Sequence, residues 1–198
     1  MADRAAVDAV AERVVERHPR VKLLVNSAGV PARADFLSGD AERIERVVGI
    51  NYLGSVWCLR AFLPALEAAR PAHVVNVVSV AGTVALGSSG PYAASKHAQL
   101  AFSRASTASL RPRGIAMHAV NPGFVETEGF PQRNVLRSAL FRRAVIEPDE
   151  VARHVVGLLG RGPSETTIPR YYRVASLAQA LAPALLSRAA GRYGNPYR

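Results

Sequence analysis

HVVNVVSV, residues 73–80, holds five valines in eight positions. Consecutive β-branched residues of this kind fit a strand covered on both faces, the situation inside a parallel sheet. Working outward, the signature recurs three times. VKLLVNSAG (21–29) is a short apolar run stopped by Asn-Ser and Gly, IAMHAV (115–120) is closed by Asn-Pro-Gly, and ETTIP (165–169) reads as a fourth, short strand. Between them the apolar spacing is helical. Asp3 can cap a helix in which Val7, Val10, Ala11 and Val14 share a face. GDAERIERVVGI and NYLGSVWCLRAFLPALEAAR (39–70) read as two helices, the second largely apolar. PYAASKHAQLAFSRASTASLR (91–111) is a long helix with Pro91 near its first turn. EPDEVARHVVGLLG (147–160) places acidic residues at the positive end of a helix and stops at Gly160, and a basic helical tail follows. Helix alternates with strand throughout, which defines an α/β chain with a parallel sheet.

The 198 residues suit a single domain spanning 1–198, without repeats or a dividing linker. Cys58 is the lone cysteine, so there is no intrachain disulfide or cysteine-based metal cluster, and no metal site is expected. The opening MADRAAVDAVAERVVERHPR is charged throughout and fits neither a signal peptide nor a span. No apolar run approaches the roughly 18–20 residues of a membrane-crossing helix. A cytoplasmic location is expected. The formal charge of +10 is densest in RNVLRSALFRR (133–143) and SRAAGRYGNPYR (187–198). Zinc-finger spacing and RNA-binding aromatic signatures are missing, so specific nucleic-acid binding is not expected. The excess positive charge instead favours anionic cofactors, partners or membrane surfaces.

In open α/β sheets, ligands sit beyond the carboxyl ends of the strands. Those ends carry Asn26 to Gly29, Ser79, and Asn121 to Gly123, and the helix bearing Tyr92 and Lys96 starts at the same edge. Residues four apart share a helical face, about 5–6 Å between Cβ atoms. A tyrosine titrates near 10, and an adjacent ammonium favours its phenolate; reaching about 7 needs roughly 4 kcal/mol. Ser79 could then hydrogen-bond a substrate oxygen beside the tyrosine hydroxyl. Each residue also has a plain use: Tyr92 as a packing ring, Lys96 as a solvated side chain, Ser79 as a strand-end hydroxyl. Asn51 could simply cap its helix, and Asn26 and Gly29 suit any tight turn. His97, His118 and Cys58 read as structural.

Taken in order, NSAG (26–29), Asn51 in INYLG, Ser79 in NVVSVAG, YAASK (92–96) and NPGFVET (121–127) resemble the motifs of the short-chain dehydrogenases/reductases. Ser27 stands where the family's second asparagine would be. The resemblance implies hydride transfer between NAD or NADP and an alcohol or carbonyl carbon. It makes Tyr92 the general acid/base and Ser79 the residue that orients the oxygen. Lys96 would hold the nicotinamide ribose and lower the tyrosine pKa, and Asn51 would support a water-linked proton relay. Asn26, Ala28, Gly29, Pro122, Gly123, Val125 and Thr127 join Tyr92 and Lys96 as cofactor-binding positions. The helices at 51–70 and 91–112 would form a homo-oligomer interface.

The family's first three strands, its G-x-x-x-G-x-G turn and the residue that chooses NAD or NADP have no counterpart. GRGPSE (160–165) follows a helix and precedes a strand, the wrong context for that loop. The expected fold is therefore a partial, Rossmann-like doubly wound sheet lacking its first three strands. A reading frame that begins upstream is favoured over a shortened paralogue, cofactor binding by this chain alone is expected to be weak, and the strand at 21–26 is expected to have a bare apolar edge. The alternative is a non-catalytic interaction protein of the same family. Serine hydrolase chemistry fits worst, since Val77 stands where a nucleophile elbow wants glycine. The tail VASLAQALAPALLSRAAGRYGNPYR (174–198), interrupted by Pro183, suits a substrate lid, an oligomer contact or a peripheral membrane helix, with core or subunit packing the favoured use.

Overall fold

A computed structural model describes residues 1–32, 36–37, 39–85, 90–128 and 144–192, with side chains described through 186 and at 188. The basic stretch 133–143, part of the loop leading to Tyr92 and the last six residues lie outside the described residues. In chain order the elements are α1 (Arg4–Arg17), β1 (Leu23–Asn26), α2 (Ala41–Val48), α3 (Gly54–Ala68), β2 (Ala72–Val77), α4 (Gly90–Leu110), β3 (Ile115–Pro122), β4 (Phe124–Val125), β5 (Val145–Ile146), α5 (Pro148–Leu158), β6 (Glu165–Ile168), α6 (Arg173–Leu181) and α7 (Pro183–Arg192).

The valine strand is central, as its composition demands. The sheet order is β1–β2–β3–β6, with every pairing parallel. Val75 of β2 lies between Val25 of β1 and His118 of β3. Adjacent valines point to opposite faces. Val74 joins a cluster with Leu59, Leu66, Leu110, Ile115 and Met117. Val75 joins another with Val120, Ile146, Val155, Leu158 and Ile168. Both faces are thus covered by helices, and each fully buried valine contributes about 1.5–3 kcal/mol relative to exposure.

At the far edge, β1 pairs only with β2 among the described residues. Leu23 and Val25 are 37% and 41% exposed, the expected apolar edge. Asp3 accepts a hydrogen bond from the Ala6 amide at 3.2 Å, capping α1 as expected, and Asp40 caps α2 through Glu42.

Two features depart from the sequence reading. The segments expected as separate helices run together, because a π turn at Gly49–Leu53 joins α2 to α3. The continuous helix Ala41–Ala68 is, by length and composition, long and apolar enough to cross a membrane, contrary to the expectation from apolar runs alone. Val47, Asn51 and Leu66 within it are fully buried in the protein. The second departure is the two-stranded parallel pair β4–β5, for which neither strand has enough residues to show a period.

Candidate active site

The chemistry-bearing residues gather beyond the carboxyl ends of β1 and β2. After β2 the chain turns at Ser79, whose hydroxyl accepts from the Ala81 amide at 3.1 Å, and runs through a short 3-10 turn, Val80–Gly82. Gly82 lets that turn lie directly beneath α4. A Cβ there would sit 2.8 Å from Val78 Cγ1 and 2.9 Å from the Lys96 carbonyl oxygen. This close approach sets Ser79 against the first turn of α4, and the hydroxyls of Tyr92 and Ser79 are hydrogen-bonded to each other. Two adjoining hydroxyls can share one substrate oxygen, one as proton donor and the other as anchor.

One turn further along α4, Lys96 is only 3% exposed. Its Nζ donates to the Val77 carbonyl at 3.0 Å and to Gln99 Oε1 at 2.9 Å, and it lies 6.0 Å from the centre of the Tyr92 ring. Burial pulls Lys96 down to about 7. The Tyr92 hydroxyl moves the other way. Burial pushes it above its ordinary value, and the bond with Ser79 only partly offsets that. The expected lowering of Tyr92 by Lys96 is therefore not present in the chain alone. The ammonium is directed at Val77 and Gln99, and is itself easily neutralised.

Asn51 sits in the π turn, a device that commonly turns one residue inward at functional sites. It is fully buried. Its Oδ1 accepts from the Val30 amide at 2.8 Å, while its Nδ2 donates to the Val30 carbonyl at 3.1 Å and to Ser95 Oγ at 3.0 Å. Asn51 thus staples the loop after β1 to α4. Gly29 is in that loop, and a Cβ on it would stand 3.5 Å from Asn51 Oδ1 and 3.6 Å from Lys96 Nζ. Lys96, Asn51 and Gly29 therefore share one small region.

The remaining sequence candidates divide. Ala28 is exposed in the loop after β1. Asn26 is buried and gives its amide to Asn76 Oδ1 at 2.8 Å, tying β1 to β2. Pro122 closes β3 opposite Ile168, and Gly123 donates to the Ile168 carbonyl at 2.8 Å. A side chain at Gly123 would run into the Tyr172 ring, so packing alone requires glycine there. Val125 belongs to β4, and Thr127 follows at a single bridge. His97 and His118 are engaged structurally: His97 Nδ1 meets the Ala93 carbonyl, while His118 meets Pro163 and stacks on His73. Burial raises the Cys58 thiol, leaving it the character of a core residue.

Sequence reasoning missed a buried relay behind the site. Gln99 receives Lys96 and donates to Ser55 Oγ at 2.8 Å, and Ser55 reaches the Asn51 carbonyl at 3.5 Å. Ser95 accepts from Asn51 and donates to the Tyr92 carbonyl at 2.7 Å. Hydrogen bonds thus tie Lys96 through Gln99 and Ser55 to the Asn51 backbone, and the Asn51 side chain through Ser95 to the Tyr92 backbone. The only sequence signal was the spacing of Gln99, three residues after Lys96 and so on its face.

The short chain dehydrogenase family model matches residues 1–135. The chain is 31% identical over 196 residues to 17-beta-hydroxysteroid dehydrogenase 13 of Rattus norvegicus, covering 98% of this chain and 64% of that protein. It is 34% identical over 127 residues to dehydrogenase/reductase SDR family member 7B of Xenopus laevis, covering 64% of this chain and 39% of that one. The chain thus spans less than two thirds of the length of these relatives. Among solved structures, a short chain dehydrogenase from Burkholderia cenocepacia in complex with NADP superposes with a TM-score of 0.78 at 27% identity, covering 93% of this chain and 73% of that one. The ordered Asn51, Ser79, Tyr92 and Lys96, their meeting at one sheet edge and these matches lead to one conclusion: the chain belongs to the short-chain dehydrogenase family.

Proposed function

We propose that this chain forms the substrate- and nicotinamide-facing part of an NAD(P)-dependent oxidoreductase that interconverts an alcohol and a carbonyl. The observation that carries the reading is the Ser79–Tyr92 hydroxyl pair with Lys96 one helical turn away. In reduction Tyr92 gives its hydroxyl proton to the carbonyl oxygen, and in oxidation it takes that proton back. Ser79 holds the same oxygen throughout.

The residues fit a nicotinamide cofactor on three counts. Gly29 brings bare backbone close to Lys96 Nζ and Asn51 Oδ1, where a Cβ would stand 3.6 and 3.5 Å from them. Asn121 Oδ1 is buried at the end of β3 without a hydrogen-bond partner among the described residues. The solved relative from Burkholderia cenocepacia is described with NADP. Lys96 would face the ribose, Asn51 would support a water-linked proton relay to it, and Gly29, Pro122, Gly123, Val125 and Thr127 would border the nicotinamide. When bound, the cofactor supplies or accepts the hydride at the substrate carbon. Asn26 and Ala28 would contribute through backbone, the Asn26 amide being engaged with Asn76. Self-association through the helices at 51–70 and 91–112 belongs to the same proposal.

The test is NADPH- and NADH-dependent reduction of a panel of aldehydes and ketones by the full chain, beside Tyr92→Phe and Ser79→Ala. Slow turnover that both substitutions reduce by about a hundredfold or more supports the reading. Turnover indifferent to Tyr92→Phe removes the proposed acid. A second reading, a non-catalytic family member that acts by association, is favoured by the internally satisfied Lys96 ammonium. It predicts no turnover with any of the three proteins.

A further inference from the structure

Helix α6 is amphipathic, yet it is turned inside out. Its hydrogen bonds to the body of the protein come from its polar side: Ser176 Oγ lies 2.7 Å from Thr83 Oγ1, and Gln179 Oε1 accepts from the Ala85 amide at 3.4 Å. Thr83 already donates to the Val80 carbonyl, so Ser176 is the donor of that pair. At about 100° per residue, Val174, Leu177 and Leu181 share the opposite side. They are 71%, 58% and 76% exposed, and Leu185 on α7 adds another 65%. Of the uses favoured from sequence, core or subunit packing, the exposure of this face leaves only packing outside the chain's own core. Three large aliphatic side chains on one outward helix face, with a fourth exposed on the next helix, are unusual for a chain with no partner.

Charge identifies the occupant. From residue 166 to the C-terminus the sequence has five arginines and neither Asp nor Glu. Arg170, just before α6, Arg173 in its first turn and Arg188 on α7 are all exposed. A second copy would bring the same cationic surface against itself, on a chain of net charge +10. An interfacial helix takes the reverse complement: aliphatic side chains entering the acyl boundary, arginines at the headgroups and an anionic surface opposite. We infer that the outward face of α6 (Val174, Leu177 and Leu181), with exposed Leu185 of α7 and the nearby Arg170, Arg173 and Arg188, docks on an anionic lipid surface. Because Ser176 and Gln179 fasten α6 to the turn that follows Ser79, docking sets that edge of the sheet close to the lipid.

The test is co-sedimentation of the full chain with phosphatidylcholine vesicles, with and without phosphatidylserine. Leu177→Gln/Leu181→Gln removes apolar surface without altering charge, and Arg43→Gln/Arg46→Gln on α2 removes two exposed charges elsewhere. The inference expects binding that needs phosphatidylserine, about tenfold or more weaker partitioning for the leucine variant, and near wild-type partitioning for the α2 variant. Equal binding by wild type and the leucine variant would overturn it, leaving only diffuse attraction of a cationic body. Failure of the wild type to sediment with either vesicle would overturn it as well. So would self-association in analytical ultracentrifugation that the leucine variant abolishes, since a second copy would then occupy the face.

Discussion

Replacing Lys96 with methionine tests the buried ammonium directly, because its protonation is written into the stability of the fold. A lysine moved by burial from 10.5 to about 7 favours its neutral form in the folded state. The unfolded chain therefore holds the extra proton between those two values, and stability rises with pH across that window. At 1.36 kcal/mol per tenfold, the charged form opposes folding by about 4 kcal/mol at pH 7 and by about 2 kcal/mol near pH 9. The wild type should accordingly gain about 2 kcal/mol over that interval relative to Lys96→Met. Loss of the bonds to the Val77 carbonyl and Gln99 costs the variant about 1 kcal/mol each, but equally at every pH. The difference in slope is thus the diagnostic quantity. Urea unfolding followed through Trp57, the sole tryptophan, measures it at a series of pH values. Stability curves for the two proteins that run parallel from about pH 6 to pH 9 would refute the reasoning.

Other substitutions probe what holds the site in place. Gly82→Ala forces a methyl group against Val78 and the Lys96 carbonyl and should destabilise by about 1–3 kcal/mol, read as a lower urea midpoint. Asn76→Ala strands the Asn26 amide and removes the donor to Ser103 Oγ, and should lower stability by about 2–3 kcal/mol in the same assay. His73 is held below its ordinary 6.5 by burial, then by His118 and Lys22. With its folded value depressed, His73 leaves the fold unpenalised above 6.5 and destabilises it as pH falls below that value. His73→Asn should flatten the acid limb of the stability profile, and an unchanged limb would exclude His73 as its source.

Much of this architecture was legible because each strand states its environment. The valines of β2 had to be covered on both faces, and Val74 and Val75 each enter a different core cluster. Asp3 and the acidic pair Asp149 and Glu150 marked helix starts by chemistry that acts locally. The joining of α2 to α3 was not legible, since a π turn leaves no mark in apolar spacing. At the site, Ser79, Tyr92 and Lys96 could be read from order and spacing. Gln99, Ser55 and Ser95 could not, because a glutamine or serine acquires its role only from being buried among donors and acceptors. Gly123 has a packing reason, the Tyr172 ring, that sequence could not distinguish from a cofactor contact. Which face of α6 turns outward was not legible, since amphipathic spacing shows that two faces exist and not which one meets the protein.

The central claim is that Tyr92 donates the proton as hydride reaches a carbonyl carbon. Its most direct measurement uses NADPH carrying deuterium at the transferred position, in excess over the full chain, with a panel of ketones that includes a steroid ketone. The account predicts deuterium on the product carbinol carbon with the wild type, and label incorporation reduced by about a hundredfold or more with Tyr92→Phe. Equal incorporation by the two proteins, or none by the wild type at any cofactor concentration, would contradict it.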